Sequence, residues 1–269
     1  MQRAVIAKRA SAKVVAIERA VYTEILPGLG LEVARYLGSA GAAGGDHAAW
    51  LFVEEVQGRR PSEAQHWQIA GKWLATMHAK SMLAPRVQSI PDRGEAYFGS
   101  RLRAAKLRLM ERIRADAYDS GEDLKVLRSA LAVCFALEDD WTSVAELIAV
   151  MPRVFVHGDF ATENILVRGR RASSTIVPLD WEKAGWGTPA EDLSSVDVDT
   201  YWGFVQEDRP GLELAALQRL ARVGRVLRCL VFLDWAIPRL GKPGDATALD
   251  DIRLCSSGLD QRVGPAPTG

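Results

Sequence analysis

The sequence predicts an α+β protein in two lobes, a small N-terminal β-sheet lobe followed by a larger, mainly helical one. Three observations carry that expectation. Short β-branched or alternating runs at residues 3–10, 32–37 and 50–56 surround one helical segment, the pattern of a small sheet. From residue 62 onward apolar residues recur at helical spacing over long stretches. Between residues 154 and 180, three short apolar runs present Asp159, Asn164 and Asp180 at their ends.

Composition removes several function classes. A chain of 269 residues can bury a full core. Its 34 basic residues are matched by 34 acidic ones, so the basic footprint of a nucleic-acid binder is missing. Cys134, Cys229 and Cys255 are far apart and form no CxxC pair, which fits free thiols in a reducing cytoplasm. No apolar run reaches membrane-spanning length and no signal-peptide pattern opens the chain. A soluble, cytoplasmic protein with no membrane partner is expected.

Taken in order, residues 3–10 read as a strand carrying Lys8. Val14, Val15, Ile17, Ala20, Val21, Ile25 and Leu26 keep helical spacing until Pro27-Gly28, and this helix carries Glu18 and Glu24. Residues 32–37 and 50–56 read as a hairpin around a Gly/Ala-rich turn at 39–45. Gly58-Arg59-Arg60-Pro61 then breaks the chain, placing the boundary between a lobe at 1–58 and one at 59–263. Ser62, with Gln65 three residues on, is the expected N-cap of a helix through Lys80, striped by Ile69, Trp73, Leu74 and Met77. His78, near its end, is read as a packing residue.

A Pro-containing connection at 81–92 leads to a basic amphipathic helix at 101–117, whose charges are expected to face water, and to one long helix at 124–151. The arginines at 168, 170 and 171 sit at a hairpin tip and are likewise expected to face solvent. Residues 184–208 contain no Lys or Arg, while Glu191, Asp192, Asp197, Asp199, Glu207 and Asp208 accumulate. Such a patch would attract a cationic ligand, or is a solvated acidic face. Helices near 212–240 and 246–259 follow, with Trp202, Phe204, Phe232 and Trp235 expected in the core, and residues 264–269 are expected to be disordered.

The chemistry is concentrated in the middle. Gly158 frees the backbone between an apolar strand and Asp159, Asn164 lies five positions on, and residues 175–179 deliver Asp180. Oxygen side chains with no soft donor among them suit a hard cation such as Mg²⁺. One carboxylate to accept a hydroxyl proton and two groups to hold metal against ATP phosphates are what phosphoryl transfer requires. An Asp-rich hairpin whose carboxylates merely cap turns is the bland alternative; the ordered set between apolar strands argues against it.

His157-Gly158-Asp159, then Asn164, then Leu179-Asp180-Trp181-Glu182 together resemble the aminoglycoside phosphotransferase and choline kinase superfamily, a small-molecule branch of the protein-kinase-like fold. The resemblance spans about residues 3–235 and implies the two-lobed kinase-like architecture. It implies Asp159 as catalytic base, Asn164 and Asp180 as magnesium ligands, and His157 as a brace of the loop. It implies a pair between Lys8 and a helix carboxylate that holds the ATP phosphates. Glu18, in a Glu-x-x-x-Tyr pattern with Tyr22, is the preferred partner and Glu24 the competitor. Backbone groups of Glu54, Glu55 and Val56 would cradle adenine, and Asp192 would steady the catalytic loop by capping the helix it starts.

A kinase-like lobe places two strands and a glycine-rich turn before the strand lysine. Seven residues precede Lys8 and none is Gly, so a truncated N-terminal lobe is expected. An upstream start, a substitute cover such as the loop at 41–45, or a lost catalytic role would each account for this. The expected function is ATP/Mg²⁺-dependent phosphoryl transfer to a hydroxyl of a small molecule. The alternative is a non-catalytic, pseudokinase-like binding module or an inactive fragment of such a kinase.

Overall fold

The computed structural model describes residues 4–41, 48–115, 121–169, 173–240 and 247–260. Val5–Ser11 (β1), Tyr36–Gly41 (β2) and Ala48–Glu54 (β3) form an antiparallel sheet in the order β1-β3-β2, with Lys8 opposite Leu51. β3 turns Ala49, Leu51 and Val53 inward, and that face packs on the first helix. β2 begins four residues later than the sequence pattern suggested. A bulge between Tyr36 and Gly38, where Gly38 takes φ 147°, shifts the register and pairs Ser39–Gly41 with β3 instead of leaving them in a turn. Most of the expected turn, residues 42–45, lies outside the described residues, as do Arg170, Arg171 and the tail at 264–269.

The first helix is continuous through Ala12–Ala20 (α1), a π-turn at Val21–Ile25, and Leu26–Leu29 (α2). Ser11 caps it by accepting from the Val14 amide. Pro27 does not stop it: it falls just where the π-turn gives way to α2, and the chain stays helical to Leu29. Gly30, left-handed at φ 56°, ends it instead.

The helical lobe opens with Ala64–Ser81 (α3), capped by Glu63 rather than Ser62: the His66 ring accepts from both the Ser62 and the Glu63 amides. Asp92–Arg93 (β4) precedes Glu95–Arg114 (α4), which starts six residues before the expected basic helix. The predicted long helix is two, Gly121–Asp139 (α5) and Trp141–Ile148 (α6), broken at Asp140. Trp141 donates its indole N–H to Glu95 there, and the turned α6 buries Val144 and Ile148.

Val154–Val156 (β5) and Gly185–Gly187 (β8) join β4 in a second sheet, ordered β4-β8-β5. Ile165–Arg168 (β6) and Thr175–Pro178 (β7) form a separate hairpin. Arg59 bonds Val167 through both backbone groups, at 3.1 and 2.8 Å, so the segment leaving the first sheet is tied to β6. Arg168 does not simply face water; it pairs with Glu32 and reaches Glu54.

Ala190–Leu193 (α7), Val198–Val205 (α8), Leu214–Ala236 (α9) and Ala248–Asp260 (α10) complete the fold. Gly224 lets α9 lie directly on α7, since a Cβ there would fall 1.8 Å from the Ala190 carbonyl oxygen. The basic face of α4 is partly spent on packing: Arg101 and Arg108 both grip Asp234 of α9. Phe204 and Trp235 are about half exposed, at 47% and 54%, and not core residues as expected. Lys72 lies over the first ring and Arg239 over the second. Trp202 and Phe232 do pack on the core. Among the described residues, no helix is long and apolar enough to cross a membrane.

Candidate active site

The turn after β5 is built around Gly158, left-handed at φ 75°, where a Cβ would stand 2.2 Å from the Lys183 carbonyl oxygen. Buried Asp192 holds this turn. Its carboxylate accepts the amides of His157 (2.8 Å) and Gly158 (2.9 Å) and faces His78 Nε2 at 3.3 Å, while His78 Nδ1 meets the Tyr201 hydroxyl. Burial alone would raise the Asp192 pKa; the His78 bond and charge and the His157 amide outweigh it and hold the carboxyl below its usual range. Asp192 therefore steadies the loop from within α7 and not by capping that helix, because its side chain points back under β5. His78 packs as expected.

His157 is fully buried and donates from Nε2 to the Leu179 carbonyl at 3.0 Å, bracing the loop against the strand that delivers Asp180. Burial depresses its pKa, so the ring stays neutral.

Asp159 follows, partly open to solvent. Oδ2 accepts from Lys183 Nζ at 2.8 Å and Oδ1 lies 3.7 Å from the Arg228 guanidinium. Burial pushes its pKa up, but the Lys183 charge and bond, with Arg228, more than compensate and hold it low. The group is a carboxylate at neutral pH, able to accept a hydroxyl proton. Asn164 closes a 3₁₀ turn at Thr162–Asn164 and is bonded in both directions. Its Nδ2 donates to the Asp159 carbonyl at 3.0 Å, and its own carbonyl accepts the Leu179 amide at 2.8 Å. The loop carrying Asp159 and the strand end carrying Asp180 are thus stitched together through Asn164.

Asp180 is the one non-glycine residue with positive φ among those described, at φ 62° and ψ 70°. A left-handed residue costs on the order of 1 kcal/mol, less for Asp than for most. The cost is met locally, because Glu18 Oε1 accepts the next amide, Trp181, at 3.1 Å. Lys8 Nζ then joins three carboxylates: Asp180 Oδ1 at 2.6 Å, Glu182 Oε2 at 2.9 Å and Glu18 Oε2 at 3.1 Å. Burial of Lys8 works against its charge, but bonds to Asp180 and Glu182 and the Glu18 charge raise its pKa well above the usual value. The Glu18 carboxyl is shifted upward, because burial penalises its charge more than Lys8 relieves it.

Lys8, Glu18 and Asp180 therefore meet, and Glu24 is solvent-exposed, which resolves the competition for Lys8 in favour of Glu18. They line a cleft of about 500 Å³ whose upper wall is Glu54, Glu55 and Val56, a size suited to a small ligand. Glu54, Glu55 and Val56 are not equivalent. The Glu54 and Glu55 amides are already donated to the Arg35 and Ala4 carbonyls, whereas among the described residues the Val56 amide has no backbone acceptor. Glu182, Lys183 and Arg228 were not singled out from the sequence. Glu182 and Lys183 sit directly after Asp180, but Arg228 lies on α9 with no local motif to mark it.

The donor set fits a hard cation. The Asn164 amide has its nitrogen committed to the Asp159 carbonyl, which frees its oxygen, and Asp180 keeps one carboxylate oxygen beyond Lys8. Among the described residues no three His, Cys, Asp or Glu side chains converge as a metal cage. A divalent ion held by one amide and one carboxylate would complete its shell with water and phosphate oxygens, as Mg²⁺ usually does.

Four of the six acids of the run at 184–208 have partners within the chain, while Glu207 and Asp208 are exposed. Glu191 is buried against Arg93 at 2.6 Å, Asp192 is spent on the loop, Asp197 caps α8 through the Thr200 amide, and Asp199 accepts from Gln218.

Two lobes, a cleft lined by Lys8, Glu18 and Asp180, and a loop tying Asp159 and Asn164 to that strand end give a kinase-like fold. The model of the phosphotransferase enzyme family (APH) matches residues 4–230, and the chain belongs to that family. Among solved structures it is similar to a microcompartment-associated aminopropanol kinase, at 15% identity over 96% of this chain and 83% of the other, with TM-score 0.62. It is also similar to APH(2")-IIia in its GDP and kanamycin complex, at 14% identity over 96% and 87%, with TM-score 0.62. Plasmodium vivax ethanolamine kinase aligns at 14% identity over 98% and 77%, with TM-score 0.57. At such identities these likenesses show a shared fold. No curated protein matches the chain in sequence.

Proposed function

We propose that the protein transfers the γ-phosphoryl group of ATP, with Mg²⁺, to a hydroxyl of a small molecule. The observation that carries this reading is the convergence of Lys8, Glu18 and Asp180 at one end of the cleft, with the ionised Asp159 joined to the same strand end through Asn164. Solved neighbours described as complexes with GDP and kanamycin, or with ADP and spectinomycin, support a nucleotide and a hydroxylated acceptor.

In this reading residues 4–58 cover the nucleotide and the chain after residue 58 carries the chemistry, in the cytoplasm. The Glu54 carbonyl and Val56 amide bond the adenine edge between apolar walls from Leu51 and Leu166. Lys8, aimed by Glu18, binds phosphate oxygens. Asn164 and Asp180 hold Mg²⁺, which when bound supplies positive charge against the transferring phosphoryl group. Asp159 accepts a hydrogen bond from the acceptor hydroxyl, aligns its oxygen with phosphorus and takes its proton as the new O–P bond forms. Catalysis of this kind is mostly positioning and electrostatics.

The test is transfer of radiolabelled γ-phosphate to a library of hydroxyl compounds, with melting of the protein followed in parallel. Mg·ATP is expected to raise the melting temperature and label is expected on an acceptor only with Mg²⁺. Stabilisation without transfer to any hydroxyl would favour the non-catalytic binding module, and absence of both would remove the nucleotide site.

A further inference from the structure

The two charged side chains that pair with Asp159 are both cations. Lys183 and Arg228 both face its carboxylate, at 2.8 and 3.7 Å, and both keep about a third of their side-chain surface in solvent. Arg228 is held in position by a hydrogen bond to Ser195. Two cations therefore share one carboxylate.

Among the described residues, the acids nearest to them are largely engaged elsewhere. Glu191 bonds Arg93 through one oxygen and offers Arg228 only a longer-range charge, Asp192 is taken by the loop amides, and Glu182 by Lys8. Asp234, the only acidic residue of α9, is gripped by Arg101 and Arg108. That helix carries Arg219, Arg222, Arg225 and Arg228 at three-residue spacing, and Arg225, nearest to Arg228, is exposed. An ammonium group brought to Asp159 would meet two like charges. A carboxylate or phosphate would meet a guanidinium fork, whose planar donors match its oxygens, and an ammonium beside it.

We infer that the acceptor bears an anionic group, a carboxylate or a phosphate, next to the hydroxyl that is phosphorylated, and that Arg228 with Lys183 holds that group beside Asp159. This rests on the phosphotransferase reading above. Arg228 is here a specificity residue that touches the acceptor, while Asp159 acts on its hydroxyl.

The experiment is a matched acceptor series on two scaffolds, assayed with Mg·ATP: glycerate, glycerol phosphate, glycerol and serinol, then gluconate, glucose phosphate, glucose and glucamine. An anionic member is expected to be phosphorylated with the highest kcat/KM of its scaffold, and the carboxylate and phosphate arms show which anion is preferred. Arg228→Gln is expected to raise the KM for that acceptor about tenfold or more while the KM for ATP stays within about twofold, and Arg228→Lys to restore part of the loss. If serinol or glucamine is phosphorylated as well as its anionic counterpart, in a reaction that Asp159→Asn abolishes, the anionic class is wrong and the phosphotransferase reading stands. A fall in kcat that is equal for every acceptor in Arg228→Gln would also overturn it, since it would place the guanidinium on the transferring phosphoryl group. Transfer to no member of either series, with Mg·ATP bound, overturns both readings.

Discussion

Asp159→Asn is expected to lower kcat for phosphoryl transfer by about 10²- to 10⁴-fold, the usual range for a positioned general base. The structure supplies the reasons. The carboxylate is kept ionised by Lys183 and Arg228, and its loop is fixed by Asp192, so the group is both charged and aimed. An amide in its place keeps the shape but cannot accept the hydroxyl proton. Mg·ATP should still protect the variant against heat, because Asp159 does not line the cleft between Lys8 and Glu54–Val56. Steady-state kinetics and melting curves on the same preparation separate the two effects, and an Asp159→Asn protein with wild-type turnover would remove the mechanism.

Lys8→Met is expected to cost about 3 kcal/mol of stability as well as activity, the lower end of the range for breaking a buried pair, because Lys8 keeps about a quarter of its surface in solvent. What remains is Glu18, 1% exposed, with its cation gone. The cost depends on pH with a definite sign. Glu18 already titrates above its unfolded value near 4.5, because burial disfavours its charge, and losing Lys8 raises it further. A carboxyl with a raised folded pKa is stabilising when protonated, so its contribution is intact below the unfolded value and is lost as pH rises through the folded one. The variant should therefore approach wild type near pH 4.5 and fall away from it toward neutrality. Denaturant melts across that interval measure this; a deficit that grows toward acid pH instead would show that Glu18 does not depend on Lys8.

What was legible in the sequence was whatever short-range pattern could encode. Apolar triplets around Gly158, Asn164 and Asp180 marked the strands that carry the candidate site, since alternation and turn residues act within a few positions. The helical phase of Glu18 agreed with an inward-facing side chain, but only the packing of α1 on β3 and on the turn after Asp180 decided between it and Glu24. The helix break at Asp140 was hidden because apolar spacing continues across it, while the turn is set by the Trp141 contact with Glu95, 46 residues away in sequence. Lys183 and Arg228 escaped for a related reason. Lys183 reaches Asp159 only through the fold of the turn after Asp180, and Arg228 only because α9 crosses α7 at Gly224, contacts no local periodicity announces. Likewise the acidic segment looked like a surface patch, and its strongest members proved to be internal fasteners.

The proposed phosphoryl transfer requires that Asn164 and Asp180 share one divalent cation beside the ATP phosphates. The most direct measurement is water-proton relaxation with Mn²⁺ in place of Mg²⁺ and a non-hydrolysable ATP analogue bound. Enhancement is expected in the wild-type complex and is expected to be lost in both Asn164→Ala and Asp180→Asn while the analogue itself still binds. Unchanged enhancement in both variants would mean that the cation sits elsewhere.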